Sequence, residues 1–304
     1  MSASRRTIAV VVHWQDPEDT LGCVASCAGE CDLVVVVDNG SREPVGARLA
    51  AAAPAAICIR TAENLGYAGG ANVGIRAATT RGAGVVLLLN NDVRLRPGAT
   101  AAARRLLDAD PRVGVVGAKV LTREDPSRLW LAWGEVTWRQ SLVALQGADA
   151  PDGPRWNATR EVEWVGGCTM WLRAAALADV GGFDEAFFAY HEEVEWCVRA
   201  AAAGWRVVYC PDAVATHTGR GSAGGTRSVR IRKYFAARNS VLFARRHGSP
   251  AQRLRLGAFL VATLPFQLAW NALRGRAGET WLKVLGLRDA LTGRRPPFER
   301  LGLK

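Results

Sequence analysis

Apolar residues fall in short unbroken runs along much of this chain, not in alternating ones. Thr7 to Val12, Leu33 to Val37, Val85 to Leu89 and Val113 to Val120 are the clearest. Runs of this length, bounded by polar residues, suit strands buried on both faces of a parallel sheet. Ala55 to Arg60 reads as a further strand. Between the runs, Asp19 to Cys27, a segment starting near Ala71, and Pro97-Gly98 through Ala109 read as helices. Strand, helix and strand in such close succession predict parallel βαβ units and an α/β chain. Sheets of that kind bind ligands at the carboxyl ends of their strands.

The pattern changes at Leu121. From there to Glu163 helical periodicity is weak, and Trp130, Trp133, Trp138 and Trp156 are interleaved with Pro126, Pro151 and Pro154. This reads as a variable insert whose tryptophans either stack on sugar faces or pack as core. Glu163 to Arg173 predicts a strand containing a glycine pair, followed by a helix over Ala174 to Val180. A helix after Tyr190 would bury Val194, Cys197, Val198 and Ala201, leaving Glu192 and Glu193 in its first turn. Trp205 to Tyr209 and Val214 to His217 read as two short strands. Arg230 to Arg246 predicts a basic helix with Ile231, Tyr234, Phe235, Val241 and Leu242 as its apolar stripe. Leu256 to Leu273 is apolar but near the lower limit for crossing a bilayer, and Pro265, Gln267 and Asn271 argue against spanning. Its flanks, Arg253, Arg255, Arg274 and Arg276, suit a helix in the membrane interface; a buried helix or a homodimer contact are equal readings.

Composition adds a charge asymmetry to this outline. The chain has 304 residues, 49% hydrophobic, and a net charge of +11, enough length for a full core. From Gly219 onward there are 18 Lys/Arg against three Asp/Glu, so the basic surface belongs to the last third. Such a surface suits anionic lipid or diphosphate; no nucleic-acid-binding pattern accompanies it, so nucleic acid is not expected. The seven cysteines contain no C-x-x-C pair and read as reduced thiols. Arg5-Arg6 is followed by only Ile8 to Val12 before His13, too short for a signal peptide's apolar segment, and a cytoplasmic location is expected.

Candidate chemistry gathers at the predicted strand ends. Asn90-Asn91-Asp92 follows a buried run, where a carboxylate can hold a divalent cation against a diphosphate, or can merely close a polar turn. Asp38, ending another strand, either bonds a base or ribose or makes an Asx turn. Gly66, Gly69 and Gly70 precede the helix near Ala71 and would let backbone approach a nucleotide, although no Rossmann or Walker spacing is present. Glu192 and Glu193 are either an ordinary acidic helix start or a general base. His217, before the glycine-rich basic segment Thr218 to Thr226, could complete a metal site and bring an arginine to phosphate.

Five stretches together carry a resemblance. V-V-V-D-N-G-S (Val35 to Ser41), N-L-G-Y-A-G-G-A-N (Asn64 to Asn72), L-L-L-N-N-D-V (Leu87 to Val93), Gly181 to Arg199 and Gly204 to His217 follow one another in the order seen in family 2 glycosyltransferases. The chain most resembles their bacterial rhamnosyltransferase branch. That resemblance implies the GT-A fold, a Rossmann-like, mostly parallel mixed sheet flanked by helices, over residues 1–220. A nucleotide-binding half would cover about 1–120 and an acceptor half about 121–220, with a basic helical extension over 221–304. It implies that Asp38 holds the nucleotide, that Gly69 and Asn72 border the same pocket, and that Asn64, Asn90, Asn91, Asp92, Trp164 and Arg220 belong to the nucleotide-sugar site. Asn90-Asn91-Asp92 occupies the family's D-x-D position with one carboxylate fewer. Asp92 and His217 would hold Mn2+ or Mg2+. Glu192-Glu193 stands where the family has Glu-Asp; the second residue is the usual base, and the longer Glu193 keeps Glu192 as a second candidate.

The activity so implied is inverting transfer of a sugar to an acceptor hydroxyl. L-rhamnose from dTDP-rhamnose is the first expectation, with UDP- and GDP-linked donors open. The acceptor would be a glycan, carried on a polyprenyl diphosphate at the inner membrane face. Two alternatives remain at this stage: a sugar nucleotidyltransferase, though the first strand runs into His13-Trp14 and not into a basic glycine loop, and a non-catalytic carbohydrate- or membrane-binding module.

Overall fold

A computed structural model of the protein describes residues 6–139, 142–218 and 225–303. In chain order the elements are β1 (Thr7–His13), α1 (Pro17–Ser26), β2 (Leu33–Asp38), α2 (Gly46–Ala52), β3 (Ile57–Arg60), α3 (Gly66–Thr79), β4 (Val85–Asn90), β5 (Val93–Leu95), α4 (Ala99–Ala109) and β6 (Val113–Thr122). They continue with β7 (Leu129–Leu131), β8 (Trp133–Val136), β9 (Val143–Gln146), β10 (Arg160–Glu161), β11 (Thr169–Arg173), α5 (Ala174–Val180), α6 (Glu192–Ala202), β12 (Arg206–His217), α7 (Gly225–His247), α8 (Pro250–Leu273), α9 (Ala277–Thr292) and α10 (Phe298–Leu301). The chain divides into two compact units. One comprises Met1–Glu135, Leu145–Glu185 and Glu192–Ser222, the other Val136–Ala144, Ala186–His191 and Ala223–Lys304.

The first unit is built on a mixed sheet in the order β10-β12-β6-β11-β4-β1-β2-β3, with β5 beside β12 and β7 beside β6. β3, β2, β1 and β4 are parallel, as are β6 and β12, while β11 lies antiparallel between β4 and β6. Ile8 to Val11, Val35 to Val37 and Val86 to Leu89 are wholly shielded from solvent, so both faces of these strands are covered. Their unbroken apolar runs have that cause. The chain proceeds from β1 outward to β2 and β3, then returns to β4 on the other side of β1. Strand order therefore reverses between β1 and β4, and the crevice at their carboxyl ends is the place where such sheets take ligands.

Several expectations are corrected by packing. α3 starts at Gly66, not near Ala71, and its glycines lie inside the helix. A Cβ on Gly74 would stand 2.1 Å from Val10 Cγ1, and one on Gly70 2.9 Å from Val12 Cγ1. These glycines let the helix lie directly on β1, and the packing gained outweighs their poor helix propensity. α2 escapes a periodicity reading because seven mostly alanine residues bury only Leu49. The strand expected over Glu163 to Arg173 is confined to Thr169–Arg173, and the two short strands expected before and after Pro211 are one strand, β12, with a register shift between Cys210 and Val214. A bulge there accommodates a proline without ending the strand. α6 buries Val194, Glu195, Trp196, Cys197 and Ala200, while Ala201 is exposed and Val198 only half-buried. Within the insert, Trp133 and Trp156 are core residues: Trp133 meets Trp156 at 5.4 Å and Tyr209 at 5.2 Å between ring centroids.

In the second unit α7 buries Ile231, Tyr234, Phe235 and Phe243; Val241 and Leu242, expected on that stripe, are half-buried. Tyr234 donates to Asp289 on α9 at 2.9 Å, and Phe235 stacks on Phe188 at 5.0 Å. Phe188, Tyr190 and His191 all adopt positive φ, at 63°, 68° and 70°. Asn239 Nδ2 lies 2.7–2.8 Å from the carbonyl oxygens of Phe187, Ala189 and Tyr190, and these bonds hold that strained turn.

The α3–β1 contact makes a stability prediction. Gly74→Ala gains helix propensity of about 1 kcal/mol but drives a methyl into Val10, so a net loss of about 1–3 kcal/mol is expected in denaturant unfolding.

Candidate active site

The site grows from the carboxyl ends of β1, β4 and β12. Asp92 follows β4, and β5, which begins at the next residue, pairs antiparallel with the end of β12 in a register that sets Val93 opposite His217. Two residues 125 positions apart are thereby brought into contact. His217 Nε2 lies 3.0 Å from Asp92 Oδ1, and the Thr218 hydroxyl donates to Asp92 Oδ2 at 2.8 Å. Burial alone would raise the Asp92 carboxyl, but the hydrogen bonds from His217 and Thr218 and the His217 charge hold it below the usual carboxylate range. Trp130 packs its ring 4.3 Å from that of His217, and Asn90 Nδ2 stands 3.4 Å from His217 Nε2.

Glu193 is linked to this cluster by the segment before β11. The Asn90 amide donates to the Cys168 carbonyl at 3.0 Å, and the Tyr67 hydroxyl to the Gly167 carbonyl at 2.7 Å. A Cβ on Gly167 would lie 3.1 Å from Glu193 Cβ, so glycine is what lets α6 come this close. Tyr67 and Cys168 each lie in the fields of both Asp92 and Glu193; burial, then those carboxylates, pushes both groups up. Two acids from distant elements thus flank one narrow segment.

Glu192 and Glu193 differ in environment. Glu192 is buried, its Oε2 has no hydrogen-bond partner, and burial followed by the neighbouring Glu193 charge drives its carboxyl well above the ordinary glutamate value. Glu193 is half-buried as a residue, although its Oε2 is shielded from solvent. Burial disfavours the charged form of Glu192 more strongly, so of the two Glu193 is the better suited to take a proton from an acceptor.

Other expected site residues are engaged elsewhere. Asp38 accepts from the amides of Ser41 and Val45 and from Arg60 Nη1 at 2.7 Å, so the Asx-turn reading describes its bonds. Asn64 accepts from Asn39 and Gly66. Asn72 exchanges bonds with the Phe183 amide and carbonyl and donates to Glu185, tying α3 to the turn before α6. Gly69 lies against Leu65, where a Cβ would approach to 2.6 Å. Asn91 is buried and donates to Thr20 on α1, away from Asp92. Trp164 is 2% exposed, its indole filling the space over Gly134, and offers no open face to a sugar. Arg220 lies outside the described residues.

Two neighbours of the site were not anticipated. Arg123, just past β6, donates from its amide to the His217 carbonyl at 3.0 Å and from its guanidinium to the Asp92 carbonyl, with Asp19 as its counter-ion at 2.8 Å. Its signal was visible as a basic residue ending a buried strand. His13 sits at the β1 switch point, its Nδ1 2.5 Å from Thr20 Oγ1 and its buried Nε2 without a partner. Burial lowers its basicity, against the opposing charges of Asp38 and Asp16.

Asp92 and His217 suit a hard divalent cation that takes one carboxylate oxygen and one imidazole nitrogen from the protein. No group of three or more His, Cys, Asp or Glu suited to a metal occurs among the described residues. The remaining positions would fall to phosphate oxygens and water, the usual mode for Mg2+ at diphosphates.

A mixed sheet with this switch point, this carboxylate after β4 and this acidic helix start defines a GT-A fold. Comparison with known structures agrees: a mannosyltransferase from Pyrobaculum calidifontis, solved with GDP-Man and Mn2+, superposes with a TM-score of 0.58 over 95% of this chain and 88% of its own, at 19% identity. The model for "Glycosyltransferase like family 2" matches residues 5–236, and the chain belongs to that family. An N-acetylglucosaminyl-diphospho-decaprenol L-rhamnosyltransferase of Mycobacterium tuberculosis is 31% identical over an alignment of 206 positions that covers 60% of this chain and 66% of that protein. A pre-mycofactocin glycosyltransferase of the same species is 30% identical over an alignment of 267 positions that covers 86% of this chain and 51% of that one. The chain thus spans about two thirds or less of the length of these relatives.

Glu192 supplies a pH prediction. Its folded-state pKa is raised, so it contributes stability below the ordinary value near 4.5 that is lost as pH climbs towards its raised value. Glu192→Gln, neutral throughout, should gain stability relative to the parent chain with each step upward from about pH 5, read from denaturation midpoints across pH.

Proposed function

We propose that this chain is an inverting sugar transferase that moves a hexose from a nucleoside-diphosphate donor to an acceptor hydroxyl. The observation that carries the reading is the Gly167-Cys168 segment, with the Asp92–His217 pair bonded through Asn90 on one side and Glu193 packed on the other. Donor diphosphate beside the first and acceptor hydroxyl beside the second would place the anomeric carbon between them.

Glu193 takes the hydroxyl proton as the acceptor oxygen bonds to the anomeric carbon and the bond from that carbon to the diphosphate oxygen breaks. Attack from the face opposite the leaving group inverts the centre. Arg123, bonded to the carbonyls of Asp92 and His217, holds that pair in position, and Trp130 packs on the His217 ring. Mn2+ or Mg2+ held by Asp92 Oδ1 and His217 Nε2 would supply neutralisation of the leaving charge. The rhamnosyltransferase relative supports L-rhamnose, from dTDP-rhamnose, as the first donor to try, and a polyprenyl-diphosphate-linked glycan as the acceptor class. Family membership weighs against the nucleotidyltransferase and binding-module alternatives.

Glu193→Gln should bind donor as the parent does, read as a thermal shift with dTDP-, UDP- and GDP-sugars with and without Mn2+, yet lose at least about a hundredfold in turnover. Undiminished turnover would remove Glu193 from the role of base; no shift with any nucleotide sugar would remove the donor site.

A further inference from the structure

We infer that α8 is a membrane-docking helix that lies in the plane of an anionic lipid surface, a property independent of the sugar-transfer reading. The helix carries an apolar face that the protein does not cover. Leu256 is buried, Leu260 and Leu264 are half-buried, and two polar residues on the same side bond to α9: Asn271 donates to Thr280 at 2.7 Å, and Lys283 of α9 donates to Gln267 at 2.9 Å. On the other side Leu254 is 75%, Val261 76%, Phe266 78%, Trp270 56% and Leu273 85% exposed. Leu254 and Val261, seven apart, and Phe266, Trp270 and Leu273, four and seven apart, form two rows at the edges of one outward half, joined by exposed Ala258, Ala262 and Ala269. A solvated helix face is polar, so water is the wrong medium for this one.

Charge selects the occupant. α8 contains no Asp or Glu, exposed Arg253 and Arg255 lie near its start, and exposed Arg274 and Arg276 follow its end. Both ends being basic, a second copy docked on this face in either direction would set arginine against arginine. Anionic headgroups neutralise both ends at once. Arg274 also lies over the Trp270 ring at 4.0 Å, an aromatic and basic pair of the kind found at the headgroup boundary. By length and composition the 24-residue helix could cross a bilayer. Its bonds to α9 through Gln267 and Asn271 instead tie the opposite side to the protein, which fits a helix lying flat with its apolar face to lipid.

The full chain is to be floated with phosphatidylcholine vesicles with and without phosphatidylglycerol, at low and high salt. Binding that needs the anionic lipid and weakens with salt is expected, and Val261→Asp with Phe266→Asp should weaken it about tenfold or more while donor thermal shifts stay unchanged. Brominated lipids give a reading that needs no charged variant: Trp270, isolated by difference from Trp270→Phe, should be quenched most by bromines near the headgroups. The inference fails if the chain ignores anionic vesicles, if quenching is greatest at the bilayer centre and binding resists alkaline carbonate, as for a spanning helix, or if the double aspartate variant dissolves a dimer without altering lipid binding.

Discussion

Everything at the site rests on one buried contact, Asp92 against His217. Both side chains are 4% exposed, and neither would hold its orientation alone in so dry a place. Removing either partner would strand the other without its counterpart, a change that costs far more than the pair contributes. The fold supplies the contact indirectly: three residues of β5 lean across to β12, and that short ladder closes a gap of more than a hundred positions. Thr218, Trp130, Asn90 and Arg123 are then ordered around a point already fixed.

The second dependency is space. Gly167 is where the loop before β11 lies against Glu193 of α6, and Gly134 is where Trp164 lies against β8. Glycine serves at both places as an absence of side chain, not as a source of flexibility. The same holds along α3, where Gly70 and Gly74 fit the helix to β1. A stretch that reads as a ligand loop proves to be a helix whose inner face has been shaved flat, and its polar member, Asn72, bonds to the turn that precedes α6.

How far the sequence revealed this depends on whether the governing contact was local. Strands β1, β2, β4 and β6 were legible because burial on both faces leaves an unbroken apolar run. Residue-by-residue resemblance singled out Asp92, His217 and Glu193, and the structure brings them to one region. It also singled out Asn72, Asn91 and Trp164, whose partners at Phe183, Thr20 and Gly134 lie far off in sequence and leave no periodic trace. Arg123 was missed for the same reason: its meaning comes from Asp19 and His217, each about a hundred positions away. The uncovered apolar face of α8 needed α9 in place before its outward side could be told from its inward one.

The bulge in β12 has a consequence for how this chain can change. Side chains alternate faces along a strand, so the offset between Cys210 and Val214 sets which way His217 points. A deletion or insertion of one residue between Val214 and His217 would turn the imidazole to the opposite face, whereas length changes in the loop joining α6 to β12 leave its orientation intact. Indels among relatives should therefore gather ahead of β12 and spare Val214 to His217, a footprint of strand parity and not of chemistry.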